Sequence, residues 1–226
     1  MNHEFKQYAA LQRGINPLTL ARYGAAVSAY INPTVIEERR MNAVSMDVFS
    51  RLLMDRIIFL GVPIDDDVAN IIQAQLLFLS SLDDKAEISL YLNTPGGQVS
   101  SGLAIYDTMQ LIAPPVATIC TGMAASMGAV LLSAGEPGRR SALPHARVLI
   151  HQPLGGAQGQ ASDILIAARQ IEKTRSELCG ILSEHSGQPF DKVMEDMDRD
   201  CWMSAAEALG YGMVDKVLGR KDTAVR

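Results

Sequence analysis

Ser126 lies in the run Gly122-Met123-Ala124-Ala125-Ser126-Met127-Gly128, between an apolar stretch and a helix-forming one. Ala124 two residues before it and Gly128 two after leave room for a sharp strand-to-helix turn, which lifts a serine hydroxyl out of a sheet. A helix starting there aims free N–H groups and a partial positive charge where an oxyanion would form. On this pattern alone, a serine that merely caps a helix is the better reading. A hydroxyl nucleophile also needs a base. His151 closes the stretch Arg147-Val148-Leu149-Ile150-His151 and precedes Gln152-Pro153, so it can face a cleft at a strand end. The other histidines compete poorly: His3 is near the N-terminus, His145 follows Pro144 in a turn, and His185 ends a helix beside Gly187. A third group must orient the imidazole. Asp196, Asp198 and Asp200 all precede the apolar Cys201-Trp202-Met203, and composition does not choose among them. Thr94-Pro95-Gly96-Gly97 offers two glycines after a strand, which permit close backbone approach and an N–H aimed at a carbonyl; a plain turn explains them as well.

These residues need a scaffold, and the chain alternates strand and helix patterns. Asp47–Asp55 reads as a short helix and Arg56–Leu60 as a strand. Asp65 or Asp66 caps a helix whose Val68, Ile71, Ile72, Leu76 and Leu79 share one face. Ile88–Asn93 is a strand, Val99–Ile112 a helix, and Val116–Thr121 a buried strand leading through Gly122–Ser126 to a helix ending at Ala134. Arg147–His151 is a strand, Ser162 caps a long helix to Ser186, Ser204 opens a capping box with Glu207, and Met213–Leu218 is the last strand. Strands alternating with helices predict an α/β domain over residues 33–226. Residues 1–32 lack this pattern and read as a loose arm or removable pro-segment outside the core. Arg22 and Gly24 interrupt Leu18–Ile31, so it lacks the unbroken apolar stretch of a secretory signal.

Composition narrows the function classes. The 226 residues are 48% apolar and 20% charged, as in a globular domain. No apolar run approaches the roughly 18–20 residues that span a bilayer. A net charge of −5 without a basic stripe argues against a nucleic-acid partner. Cys120, Cys179 and Cys201 form no CxxC pair, and the histidines have no metal-binding spacing, so neither a disulfide framework nor a metal or other cofactor is expected. A reducing, cytoplasmic compartment is the simplest reading.

Five blocks together resemble one family. Tyr91-Leu-Asn-Thr-Pro-Gly-Gly97, Ile105-Tyr-Asp-Thr-Met-Gln110, Ala124-Ala-Ser-Met-Gly128, Ile150-His-Gln-Pro-Leu-Gly-Gly156 with Gln158-Gly-Gln160, and Asp198-Arg-Asp200 followed by Glu207-Ala208 are similar to the Clp protease proteolytic subunits, the ClpP family. The resemblance runs from about Val35 to Leu218. It implies a ClpP/crotonase-like spiral of ββα units with a protruding helix-strand handle over Gly155–Ser186. It implies Ser126 as nucleophile, His151 as general base and Asp200 as acid, with the Gly97 and Met127 N–H groups as oxyanion hole. Gly97, Gln98, Val99 and Ser100 on one side, and Leu154, Gly155 and Gly156 on the other, would clasp an extended peptide as added strands. Two stacked heptamers would enclose the sites. An AAA+ unfoldase of the ClpX, ClpA or ClpC type would feed in unfolded polypeptides and consume the ATP. At positions matching the unfoldase-docking pockets, Tyr91, Ile119, Leu143 and Leu218 are apolar, while Ser89, Thr121 and Ser141 replace bulkier groups. A flexible loop at the axial pore would fall on Glu37–Ser45. Two rivals remain. One is an acyl-CoA hydratase or isomerase of the same fold, which needs no Ser-His pair. The other is a non-catalytic ring subunit, which would usually lack a triad member.

Overall fold

The computed structural model describes residues 5, 7–22, 34–39 and 42–219, with the backbone alone over 34–39 and 42–45. Strands β1 (Thr34–Arg39) and β2 (Asn42–Asp47) pair antiparallel, from Thr34 opposite Asp47 to Arg39 opposite Asn42. Of the stretch expected as a flexible pore loop, Glu37–Ser45, residues 37–39 and 42–45 thus lie in paired strands, and residues 40 and 41 are outside the described residues. Asp47 then accepts the Ser50 N–H at 2.9 Å and caps helix α1 (Val48–Met54).

The main sheet is built from β3 (Ile57–Leu60), β4 (Ile88–Thr94), β5 (Val116–Ala125), β6 (Arg140–Ala142), β7 (Arg147–Ile150), β8 (Cys201–Ser204) and β9 (Lys216–Val217). The order β3-β4-β5-β6-β9 is parallel throughout. β7 also pairs parallel with β5, and β8 pairs antiparallel with β7. This is the α/β architecture the strand-helix alternation predicts. In β4, Ile88, Leu90 and Leu92 are fully buried, while Ser89 and Tyr91 between them are half-buried. Helix α2 (Asp66–Leu82) covers the core with Ile71, Ile72, Leu76 and Leu79. Each such burial contributes roughly 1.5–3 kcal/mol. Asp65 is its cap, accepting the Val68 N–H at 2.9 Å, and Asp66 and Asp67 in the first turn suit the helix dipole. Helix α3 (Val99–Leu111) packs against α2, and α4 (Met127–Ser133) packs on β5.

The structure departs from the sequence reading in four places. First, β5 does not stop at Thr121. Thr118–Cys120 pair with β6, then Met123–Ala125 pair with β7, so the small-residue run stays extended because a second partner takes over. Second, β6, β8 and helix α6 (Phe190–Asp196) escaped notice, being too short for periodicity to reveal. Third, the N-terminal arm is not outside the core. Phe5, Ala9 and Leu20 are buried, Phe5 stacks edge-on against Phe78 of α2 at 5.9 Å, and Arg22 pairs with Asp67 at 3.2 Å. Aromatic side chains gain more by covering an apolar helix face than by facing water. Fourth, the handle has its helix but no strand. Helix α5 (Ala161–Ser186) begins one residue before Ser162, with Gln160 as its cap, and ends at Gly187. Residues 151–158 pair with no strand among the described residues. Leu178, Cys179 and Leu182 bury the C-terminal half of α5, whereas Ile164, Leu165 and Ile166 are exposed near its start.

Candidate active site

The end of β5 is where the sheet forks and where the chemistry gathers. Ser126 follows β5 with φ 55° and ψ −122°, a backbone region that side-chain-bearing residues rarely occupy. Such strain costs about 1–3 kcal/mol and persists only where neighbours impose it. Here the Ser126 N–H donates to the Leu149 carbonyl at 2.9 Å, and the Ser126 carbonyl accepts the Ala129 N–H at 2.9 Å. Ala124, Ala125, Met127 and Gly128 around it are buried. The turn is therefore the elbow that the small neighbours predict, and the serine also stands at the N-terminus of α4.

Gly96 shows why the facing loop needs glycine. Its φ is +87°, and a Cβ there would lie 2.5 Å from the Ala125 carbonyl and 2.7 Å from Ser126 Cβ. Beside it, Ile64 grips Gly97 on both sides. The Ile64 N–H donates to the Gly96 carbonyl and the Gln98 N–H to the Ile64 carbonyl, each at 2.8 Å. Thr94 Oγ1 accepts the Gly96 N–H at 3.1 Å and donates to the Val62 carbonyl at 2.7 Å. Among the described residues, neither the Gly97 N–H nor the Met127 N–H has a hydrogen-bond partner. Two free donors thus flank the elbow.

Strand register decides which of the three aspartates meets His151. β7 and β8 run antiparallel, with Arg147 opposite Ser204 and Ile150 opposite Cys201. One rung further, His151 stands opposite Asp200, and His151 Nδ1 lies 3.0 Å from Asp200 Oδ1. With Nδ1 donating to the carboxylate, Nε2 is the nitrogen left to take a proton. The other two aspartates are engaged elsewhere. Asp198 accepts from Arg175 Nη2 at 3.2 Å. Asp196 accepts from the Tyr211 hydroxyl at 2.8 Å and from Lys192 at 2.6 Å. Partial burial raises the Asp196 carboxyl, but those two hydrogen bonds hold it below its ordinary value. Burial, and then Asp196, push the Tyr211 hydroxyl up. The Ser126 hydroxyl makes no hydrogen bond among the described residues, so Ser126 and His151 are not in hydrogen-bond contact. Such contacts are often open before substrate binds.

The residues expected to clasp a peptide are placed differently. Val99 and Ser100 form the first turn of α3, with Gln98 as its cap, so only Gly97 has a strand-like bridge, to Ile64. Leu154, Gly155 and Gly156 are exposed and unpaired, and Gly155 rests against the Ile171 side chain of α5. Sequence reading missed Ile64, Thr94, Gln152 and Arg175. Of these only Gln152, next to His151, carried a positional signal. The cysteines offer no rival nucleophile, since burial pushes the Cys120 thiol up to about 12 and raises Cys179 and Cys201 as well.

The family model for Clp protease matches residues 39–221. This chain belongs to the Clp protease family. Among its relatives, the ATP-dependent Clp protease proteolytic subunit of Porphyromonas gingivalis is 62% identical over 216 residues, covering 96% of this chain and 97% of that one. The subunits of the same description from Bacteroides fragilis and Bacteroides thetaiotaomicron are 59% and 58% identical over 218 residues, covering 96% of this chain and 99% of each relative. The elbow, the His151–Asp200 rung and the Gly96-Gly97 loop all fall within the stretch that the Clp protease model matches.

Proposed function

We propose that this chain is the proteolytic subunit of an ATP-dependent Clp protease, a serine endopeptidase in which Ser126, His151 and Asp200 form the triad. The 3.0 Å pairing of His151 Nδ1 with Asp200, beside a strained serine elbow, carries this reading. His151 Nε2 takes the Ser126 proton as Oγ attacks a peptide carbonyl, then passes it to the leaving amine. Asp200 holds the tautomer and stabilises the imidazolium. The Gly97 and Met127 N–H groups receive the oxyanion. Water then hydrolyses the acyl-enzyme by the reverse relay. Gln98, Val99 and Ser100 line one side of the peptide, and Leu154, Gly155 and Gly156 the other.

The particle is two stacked heptamers in the cytoplasm. The apolar side chains left exposed on the handle, Leu154, Ile164, Leu165 and Ile166, support burial against further copies. An AAA+ unfoldase of the ClpX, ClpA or ClpC type delivers unfolded polypeptide. Phe59 and Tyr91, half-buried and in register across β3 and β4, favour an apolar docking surface for it. Residues 1–32 form an arm that the assembled enzyme trims between about Ala25 and Asn32, a stretch outside the described residues. The Ser126→Ala chain tests both statements. Its hydrolysis of a short fluorogenic peptide should fall about 10⁶-fold, and intact mass should show the arm kept, whereas the wild type loses roughly 25–31 residues. Undiminished hydrolysis would overturn the triad. The full arm on an active wild type would overturn self-trimming alone.

A further inference from the structure

Helix α2 has more than one covered side. Ser101 Oγ of α3 donates to Asp66 at 2.5 Å and Thr108 Oγ1 to Gln73 at 3.3 Å, which marks the side facing α3. Asp67, Ile71, Ala74 and Phe78 lie on a different side, because their i, i+4, i+7, i+11 spacing puts them on one helical face over about 16 Å. Ile71 and Ala74 are at most 1% exposed and Phe78 is 8% exposed. The N-terminal arm holds both ends of this stripe. Phe5 and Tyr8 meet the Phe78 ring at centroid distances of 5.9 and 5.3 Å, and Arg22 pairs with Asp67 at 3.2 Å. Within the arm, Phe5, Ala9 and Leu20 are buried, while Leu11 and Leu18 stay 82% and 70% exposed. The segment is also organised within itself. Arg13 Nε donates to the Tyr8 hydroxyl at 2.8 Å, the Ile15 N–H donates to the Ala9 carbonyl at 2.9 Å, and Asn16 Oδ1 accepts the Leu18 N–H at 2.8 Å where residues 17–22 turn helical. All of this lies before the stretch that the Clp protease model matches, which starts at residue 39.

We infer that the Asp67–Phe78 face of α2 is a binding site for segment 5–22 that does not need the covalent link: once the arm is cut, its N-terminal piece stays on α2 as a bound peptide. Every contact named lies at or before Arg22, and the cut proposed above falls between about Ala25 and Asn32, so trimming breaks none of them. What the cut removes is the tether, and with it the high effective concentration of the arm at its own face. The internal hydrogen bonds of the segment lower the ordering cost of binding it again. Phe5 and Tyr8 are the anchors, and Arg22, 78% exposed, adds little. The bound piece keeps the apolar stripe dry, and dilution uncovers it. The trimming proposed above supplies the occasion, whereas the binding is independent of which protease makes the cut.

The test uses the full-length Ser126→Ala chain with residues 25–30 replaced by the recognition sequence of a site-specific protease. After complete cleavage, the protein is spun through a membrane that passes the arm and holds the body, and intact mass measures the arm on each side. At a protein concentration of about 10 µM most of the arm should stay with the body. Phe5→Ala/Tyr8→Ala should raise the dissociation constant at least about tenfold, and Phe78→Ala should do the same from the other side of the contact. Leu11→Ala, which removes an exposed side chain of the same segment, should change it by less than about twofold. An arm that filters freely from the otherwise unaltered chain, or equal retention in Phe5→Ala/Tyr8→Ala, would overturn the inference. If Phe78→Ala does not fold, Phe5→Ala/Tyr8→Ala carries the same expectation and leaves the body untouched. A wild-type protein that keeps its arm would overturn self-trimming alone, because the engineered cut still decides the binding site.

Discussion

Ser126 and Asp200 are held in opposite ways. Ser126 is fixed by backbone: its N–H donates to Leu149, its carbonyl accepts from Ala129 and Val130, its neighbours are buried, and Gly96 is pressed against it. Nothing at that end of β5 can move without opening the sheet. Asp200 stands at the open end of the β7–β8 ladder, exposed, at the end of a loop held by the Gln152 backbone N–H, the Gln152 and Arg175 side chains and the buried Met197. In the triad proposed above, the serine is thus held by a packed, strained turn and the acid by a loop open to solvent.

Substitutions on the two sides sharpen the contrast. Asp200→Asn keeps the shape but removes the acceptor that sets the His151 tautomer, so kcat should fall about 10⁴-fold with folding intact. A loss of less than tenfold would mean that another group orients the imidazole. Gly96→Ala acts on the rigid side. The added Cβ meets the Ala125 carbonyl and Ser126 Cβ, at a φ that disfavours side chains. Stability should drop about 1–3 kcal/mol, and kcat roughly 10²-fold if the elbow shifts by about 1 Å. Thermal melting together with peptide hydrolysis checks this, and a silent Gly96→Ala would show that the elbow is softer than its packing suggests.

The smallest effect concerns the base of the handle. Arg140 is bonded to Asp215 through Nε at 3.0 Å and Nη2 at 2.5 Å, and donates to the His185 carbonyl in the last turn of α5 at 2.6 Å. Burial raises the Asp215 carboxyl, but the Arg140 hydrogen bonds outweigh it and hold the group below its ordinary value of 3.8. A carboxyl with a lowered folded pKa favours the fold while ionised. Its contribution is fully present above about pH 3.8 and is lost as pH falls through the lower folded value. The melting temperature should decline below that pH, and Asp215→Asn should flatten the decline. Equal slopes in both proteins would remove this pair from the anchoring of the buried half of α5.

Much of the site was legible because steric demands mark sequence. Small residues around Ser126 allowed an elbow, although a plain helix cap was the better reading of that pattern alone, and Gly96-Gly97 allowed close approach as well as a plain turn. Asp200 was not legible from its own surroundings, since three nearby aspartates look alike. The choice became physical only with the register of β7 against β8, a long-range pairing that local patterns do not encode. Strands β6 and β8 were missed because three or four residues carry no usable period. The arm was misjudged because Phe5 has no local reason to be buried; its partner, Phe78, lies about seventy residues away in α2. Gly97–Ser100 read as strand-like through resemblance, yet Gln98 caps a helix there.

The central claim is that Ser126 is the group that attacks. Treating the full-length wild-type protein with a fluorophosphonate probe and mapping the adduct by peptide mass spectrometry tests it most directly, because only an activated serine reacts at a useful rate. The adduct should sit on Ser126, form more slowly in Asp200→Asn, and be missing from Ser126→Ala. Labelling at another residue, or undiminished labelling of Ser126→Ala, would contradict the account.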